Sequence, residues 1–415
     1  MSESLRVLYV IHSFPRLYHT FLLNDMVRLR KKGIEVFILS IRKPDGEVVS
    51  KDAETFLSNT FYLDHYNHRI HRFPLRQIIR LLNKTKNLLP RFYDLMCKII
   101  FSSYNDQKLL KKYFRDFGWR IFAFRDFVNN IKKYNINRIH AGFANTSASA
   151  ALILSELTET PFTFEAHAND IYVNFPHAEE KLQKAKKIIT ISDYNKKYLV
   201  SDYGCEPEKV IIKRVPFNRD HCDLISGTKR EENSIVSVGR LDPIKGLPYA
   251  IEAFSRVSKS YPDLMYYIVG DGVLKESLTA QVEKLNLAKK IIFHGSMENA
   301  KALEIIARST IFLLPSVIGP DGDRDGIPTA LIEAMYLGTP VIGSRLSGIP
   351  ELIDNDVNGY LVEPGSIGDI SEKLKLLIEN PKLRETFGYK GRQKVESEFD
   401  IDVNNDKLIA AWRDK

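Results

Sequence analysis

Short apolar runs alternate along the chain with longer stretches of helical periodicity, the pattern of β–α–β units that feed parallel sheets. The first run covers residues 7–11, followed by an amphipathic stretch over 20–32, a turn at Gly33 and a second run over 36–39. The alternation resumes with a strand over 138–140, helical sequence over 147–156 and a strand over 162–165. A helix around 179–186 and strands over 187–191 and 210–215 complete the first series. Between residues 216 and 232 the chain turns polar and loses periodicity, which marks a linker. Beyond it, strands are predicted over 235–238, 265–269, 291–294, 311–314 and 341–343, separated by helical stretches, and an amphipathic helix over 400–412 ends the chain. The pattern predicts an α/β protein of two doubly wound Rossmann-like domains, 1–217 and 232–395, facing a cleft, with residues 396–415 crossing back to the first domain. In such sheets ligands bind beyond the carboxyl ends of the strands, so function is to be sought in the loops there.

Composition narrows the setting. The 415 residues, 44% hydrophobic and 27% charged, suffice for two full cores. Three scattered cysteines, Cys97, Cys205 and Cys222, form no metal-ligand spacing, so a reducing compartment and no structural metal are expected. The apolar run near the N-terminus is too short for a signal peptide and reads as a buried strand, and no stretch is long enough to span a membrane. A cytoplasmic protein is therefore expected. The net charge of +8 is concentrated between residues 69 and 133, where Arg72, Arg76, Arg80, Lys84, Lys111 and Lys112 are interleaved with aromatic and aliphatic residues. This marks a basic helical insertion, about 66–133, in the N-terminal domain. It reads either as amphipathic helices on the anionic inner face of the plasma membrane or as a solvated helical insertion. Nucleic acid is not expected as a partner, because no helix-turn-helix, zinc-finger or RNA-binding signature accompanies the charge.

Four strand-end loops in the second half carry candidate chemistry. Arg240 and Lys245, in the loop after residue 238, could neutralise a diphosphate, and the Gly270–Gly272 turn suits a tight bend beside a nucleotide. Asp325 precedes a helix that contains Glu333, with Pro328 near its first turn, where the missing N–H is not needed. Backbone N–H groups of Ile327 to Ala330 would face an anion at that helix N-terminus, and carboxylates flanking an anion site suit a nucleotide sugar, which presents hydroxyls next to phosphate. The fourth loop is Ser347-Gly-Ile-Pro-Glu351.

In this order and spacing the four segments resemble the donor-binding domain of family 4 of the retaining glycosyltransferases, which have the GT-B fold. The hallmark of that family is a carboxylate, seven residues and a Glu, and it resembles Asp325 to Glu333. The opening Phe14-Pro-Arg-Leu-Tyr-His-Thr-Phe-Leu22 and the segment Phe164-Glu-Ala-His-Ala-Asn-Asp-Ile171 are similar to the branch that builds exopolysaccharide, colanic acid and lipopolysaccharide. The resemblance implies that Arg240 and Lys245 hold the diphosphate and Glu333 the ribose hydroxyls. Asp325 would stand beside the donor sugar, with Gly270, Gly326, Ile327, Pro328 and Thr329 completing the donor site. It also implies that His167 reaches the sugar across the cleft, that Asp170 fixes the loop of His167, and that Phe14, Arg16, His19, Thr20 and Asn145 line the acceptor side. Four positions depart from the family pattern: Asp325 for Glu, His19 for Glu, Gly142 for His and Ser347 for Gly.

The implied activity is transfer of a sugar, with retention of configuration by front-face attack, from a nucleotide-diphosphate sugar to a glycan or lipid-linked acceptor. Uridine diphosphate is the default donor nucleotide and guanosine diphosphate the next. Cationic side chains and a helix N-terminus can stabilise the departing diphosphate, so neither a metal nor a cofactor is expected. A donor-binding partner subunit without turnover is the alternative, motivated by Asp325, and a two-Rossmann epimerase or phosphorylase is a third reading.

Overall fold

A computed structural model describes residues 4–15, 20–44, 50–63, 121–215, 217, 219–225 and 227–414. Its first half runs β1 (Arg6–Ser13), α1 (Thr20–Lys31), β2 (Glu35–Arg42), α2 (Lys51–Glu54), β3 (Thr60–Tyr62), α3 (Ile121–Lys133), β4 (Arg138–Ala141) and α4 (Thr146–Thr158). It continues through β5 (Phe162–Ala166), α5 (Ala168–Tyr172), α6 (Ala178–Lys184), β6 (Lys187–Thr190), α7 (Asp193–Tyr203) and β7 (Val210–Ile212), with a short α8 (Asp220–Asp223) after it. The second half runs β8 (Ser234–Val238), α9 (Leu247–Val257), β9 (Met265–Val269), α10 (Lys275–Lys284), β10 (Ile291–Gly295), α11 (Asn299–Arg308) and β11 (Ile311–Leu314). Then follow α12 (Thr329–Tyr336), β12 (Val341–Ser344), α13 (Ile349–Leu352), β13 (Tyr360–Val362), α14 (Ile367–Glu379), α15 (Pro381–Glu398) and α16 (Ile401–Arg413).

Two wholly parallel sheets result, of seven strands in the order β3-β2-β1-β4-β5-β6-β7 and six in the order β10-β9-β8-β11-β12-β13. Central strands are buried on both faces, as in β11, where all four residues of Ile-Phe-Leu-Leu are enclosed, because helices cover each side, whereas the edge strands β3 and β10 are partly open to solvent. Each sheet reverses its winding direction once, between β1 and β4 and between β8 and β11. A crevice opens at such a switch point, beyond the carboxyl ends of the adjoining strands.

The predicted runs of the second half all fall on observed strands, and elements not predicted include β3, β13 and the helices α7, α14 and α15. The strand expected over 210–215 ends at Ile212. Lys213 still donates its N–H to the Thr190 carbonyl, 2.8 Å away, but its side chain turns into a buried ionic cluster. Of the basic insertion, only α3 and the residues after it are described; the basic residues from Arg72 to Lys112 lie outside the described residues. No helix among the described residues is long and apolar enough to cross a membrane.

The last helix returns to the first sheet. Asp400 caps it, accepting from the N–H groups of Asp402 (2.8 Å) and Val403 (3.2 Å). Leu408 and Trp412 then join the core that Tyr9, Met26 and Ile38 form on one face of that sheet. Trp412 is fully buried, and its indole N–H donates to Thr163 Oγ1 at 3.0 Å.

Candidate active site

Each of the two switch points is flanked by the loops singled out in the sequence. Phe14 follows β1, Asn145 lies just beyond β4 and His167 directly beyond β5. Arg240 and Lys245 follow β8, Gly270 follows β9, and Asp325 lies in the long connection after β11. The loops of the two sheets meet. A Cβ on Gly326 would stand 2.6 Å from Ile191 Cδ1, and one on Gly348 would stand 2.9 Å from Ser192 Cβ, so the absence of a side chain at both positions permits the contact. The Arg324 guanidinium lies 4.5 Å from the centre of the Tyr172 ring, and its Nη1 donates to Tyr194 Oη at 3.3 Å.

On the second sheet, the loop after β8 passes under that after β9. Gly270 has φ +134°, and a Cβ there would collide with the Gly239 carbonyl oxygen at 1.9 Å, so only glycine fits this crossing. Lys245 is folded inward, its ammonium 2.6 Å from Asp325 Oδ1, while the other oxygen of Asp325 accepts from Ser316 Oγ at 2.7 Å. Arg240 lies apart from this pair. Its side chain is 75% exposed and bonds Asp242 at 2.8 Å, so the two cations of the loop are not brought together.

Pro328 occupies the N-cap of α12 without a side-chain cap; its carbonyl accepts from the N–H of Leu331 at 3.1 Å, so Thr329 and Ala330 carry the amides open to an anion. Ile327 is buried against the inter-sheet apolar cluster that includes Ile191, Val215 and Phe217. Glu333 sits one turn into α12, where Asn299 Nδ2 donates to Oε1 at 3.2 Å. Burial pushes its carboxyl up to about 7, so the side chain is poised between neutral and charged forms at physiological pH.

On the first sheet, His167 stands at the N-cap of the short α5, between the rings of Phe21 (5.1 Å) and Phe143 (5.4 Å), centroid to centroid. Its Nε2 lies 3.1 Å from Glu165 Oε2. Asp170 is buried and accepts from the Ala144 N–H at 2.5 Å. Burial pushes its carboxyl up to about 6, against the opposing influence of His167. Asn145 turns its carboxamide to the Ser147 N–H as the cap of α4. Phe14 is buried at the end of β1, where its N–H donates to Ser40 Oγ at 2.9 Å. Arg16 and His19 lie outside the described residues, as does the side chain of Thr20 at the start of α1.

Several residues with structural authority over these loops were not singled out in the sequence. The fully buried Lys181 of α6 donates to the carbonyls of Ala144 (2.6 Å) and Asn145 (2.9 Å), so the loop after β4 is gripped by Lys181 and Asp170 together. Glu351 accepts from the N–H groups of Asp193 and Tyr194, both at 2.9 Å, and pairs with Arg214; it caps α7 of the first sheet from the short helix α13 of the second. Ser316 and Asn299 hold the carboxylates of Asp325 and Glu333. These contacts join residues distant in the chain, which no local sequence pattern records.

Residues 223–394 match the model of the family described as glycosyl transferases group 1. The chain is 30% identical over 243 residues to a putative colanic acid biosynthesis glycosyltransferase, WcaL, of Escherichia coli, covering 57% of this chain and 58% of that protein. It is 34% identical over 197 residues to the amylovoran biosynthesis glycosyltransferase AmsK of Erwinia amylovora, covering 47% of this chain and 48% of that one. The matches thus span about half the length of these curated relatives. Among solved structures, a glycosyltransferase from Rickettsia africae aligns over 99% of this chain and 98% of its own, with a TM-score of 0.69 at 16% identity. Anabaena HepE, solved in complex with UDP, aligns over 98% of this chain and 99% of its own, with a TM-score of 0.68 at 16% identity. At such identity the likeness is one of fold.

Proposed function

The chain carries a group 1 glycosyl transferase domain within a GT-B fold, and from that premise we propose that it transfers a sugar, with retention and without a metal ion, from a nucleotide-diphosphate sugar to a glycan or lipid-linked acceptor in surface polysaccharide assembly. The observation that carries the reading is the pairing of Lys245 with Asp325 just ahead of α12, the helix that carries Glu333, beyond the β8–β11 switch point. In this reading the diphosphate draws Lys245 away from Asp325 and takes the first-turn amides of α12, which together offset the charge that develops on the leaving group. Asp325, released from Lys245 yet still held by Ser316, turns a free oxygen to the sugar hydroxyls, and Glu333 takes the ribose. Arg240 swings in from its exposed position to the second phosphate. UDP is the donor nucleotide of first choice, since UDP is the ligand in the HepE complex.

Retention follows from front-face attack, with the acceptor hydroxyl entering from the first-sheet side, where Phe143 and Phe21 flank His167. The test is thermal stability in the presence of UDP-, GDP-, ADP- and dTDP-sugars without added metal, because a ligand that binds only the folded state raises its stability, by about 2.7 kcal/mol at a hundredfold excess over Kd. One nucleotide series is expected to raise Tm, and Lys245→Ala or Glu333→Ala to abolish the rise. No rise with any series overturns the donor site. Binding without transfer to a lipid-linked oligosaccharide establishes a partner subunit instead.

A further inference from the structure

Behind His167 lies an ionic chain that the proposed chemistry leaves unused. Lys213 lies between two carboxylates, paired with Asp25 of α1 and 2.8 Å from Glu165 Oε1 of β5. The same Glu165 oxygen is 3.4 Å from His140 Nε2 of β4, and the other oxygen is 3.1 Å from His167 Nε2. Side-chain exposure is 0% for Asp25 and His140, 2% for Glu165 and Lys213, and 17% for His167, so His167 is the member through which this chain meets the cleft.

The charges do not balance without a further proton. Asp25 and Glu165 share a single lysine, Lys213, and a buried net negative charge is costly enough that a neighbouring base takes up a proton instead. Burial pushes Asp25 up to about 6 against the pull of Lys213, which still leaves it ionised at neutral pH, while Lys213 and the two histidines outweigh the burial of Glu165 and hold it well below the usual carboxylate range. Two histidines could supply the balancing charge. His140 Nδ1 lies 2.8 Å from Thr163 Oγ1, which accepts from the Trp412 indole and so can donate its own proton to His140. That arrangement leaves His140 a neutral ring with its Nε2–H toward Glu165, in keeping with burial that lowers its basicity. His167, with access to water, is the ring that can take a second proton. The other groups facing this cluster are the buried Tyr9 hydroxyl of β1, kept neutral by burial, and Asp170 of α5.

We propose that Glu165, by direct contact, and Asp25, through Lys213, are positioning residues that hold His167 as an imidazolium, with Nε2 facing Glu165 and Nδ1–H presented to an oxygen of the bound donor. The inference rests on the proposed donor reading for what His167 meets, but not for its charge. The cleft then carries a cation on the first sheet opposite Lys245 on the second, and donor binding weakens as pH rises through the titration of His167.

The experiment is a nuclear magnetic resonance titration of the full chain without ligand, with the His167 signals identified among ten histidines by their loss in His167→Asn. The midpoint of His167 in the unaltered protein is expected above the ordinary 6.5, and below it in Glu165→Gln and in Asp25→Asn. A wild-type midpoint at or below 6.5 overturns the proposal even if neither variant folds. An unchanged midpoint in folded Asp25→Asn also overturns it, since a merely local contact with Glu165 would not sense the distant carboxylate. Absence of any nucleotide-sugar thermal shift, with the titration as stated, rejects the donor reading and leaves this one standing.

Discussion

Glu333 is held in a form that favours ligand over stability. Its folded pKa of about 7 stands above the ordinary 4.5, so ionising it in the folded protein costs free energy that grows as pH rises from 4.5 through 7. The cost reaches at most about 3 kcal/mol at high pH. Glu333→Gln, which carries no charge at any pH, should therefore melt at the same temperature as the parent near pH 4.5 and at a higher one by pH 8, as followed by circular dichroism. A difference that stays constant with pH would refute the desolvated state of this carboxyl. Asp325 presents the opposite case, since both of its oxygens already have partners in Lys245 and Ser316. The identities of these two carboxylates were legible in the sequence as a motif. Their partners were not, because Lys245 and Ser316 reach Asp325 through folding of the chain and no local periodicity records that contact.

At the scale of elements, strands enclosed on both faces leave continuous apolar runs, which is why β8, β9, β11 and β12 could be read directly. Helices with weak patterning could not. In α7 only Asn195 and Leu199 are buried, and α15 is polar over most of its length, so neither shows an apolar stripe. The three-residue β13 is too short to show a pattern at all. What defines α7 instead is its start. Ser192 Oγ accepts from the Asn195 N–H at 3.0 Å, and Glu351 from the two amides before it. Ser192→Ala should cost about 1 kcal/mol, a normal value for a cap. Glu351→Ala should cost more, because it also strands the Arg214 guanidinium, which pairs with Asp193 at only 3.5 Å. Urea unfolding of the two variants side by side checks the order.

For the whole molecule, the final helix is part of the first domain's core although it follows the second domain in sequence. Trp412 stacks edge-on with Tyr9 and His140 and bonds Thr163, so it closes the pocket that contains the buried ionic chain. Trp412→Ala should cost about 3–5 kcal/mol, the range for deleting a large aromatic side chain from a core. The measurement is denaturant unfolding, and a cost below 1 kcal/mol would show that the helix merely rests on the sheet. The two-sheet architecture was legible from alternation alone; the role of this helix as a wall of the ionic cluster required the structure. The cap that Glu351 lends to α7 has a kinetic consequence. Any parting of the two sheets removes the acceptor from the Asp193 and Tyr194 amides at the same moment, so their hydrogen–deuterium exchange becomes a clock for cleft opening, and a donor that bridges the cleft should slow that clock at these two amides before it slows exchange anywhere else.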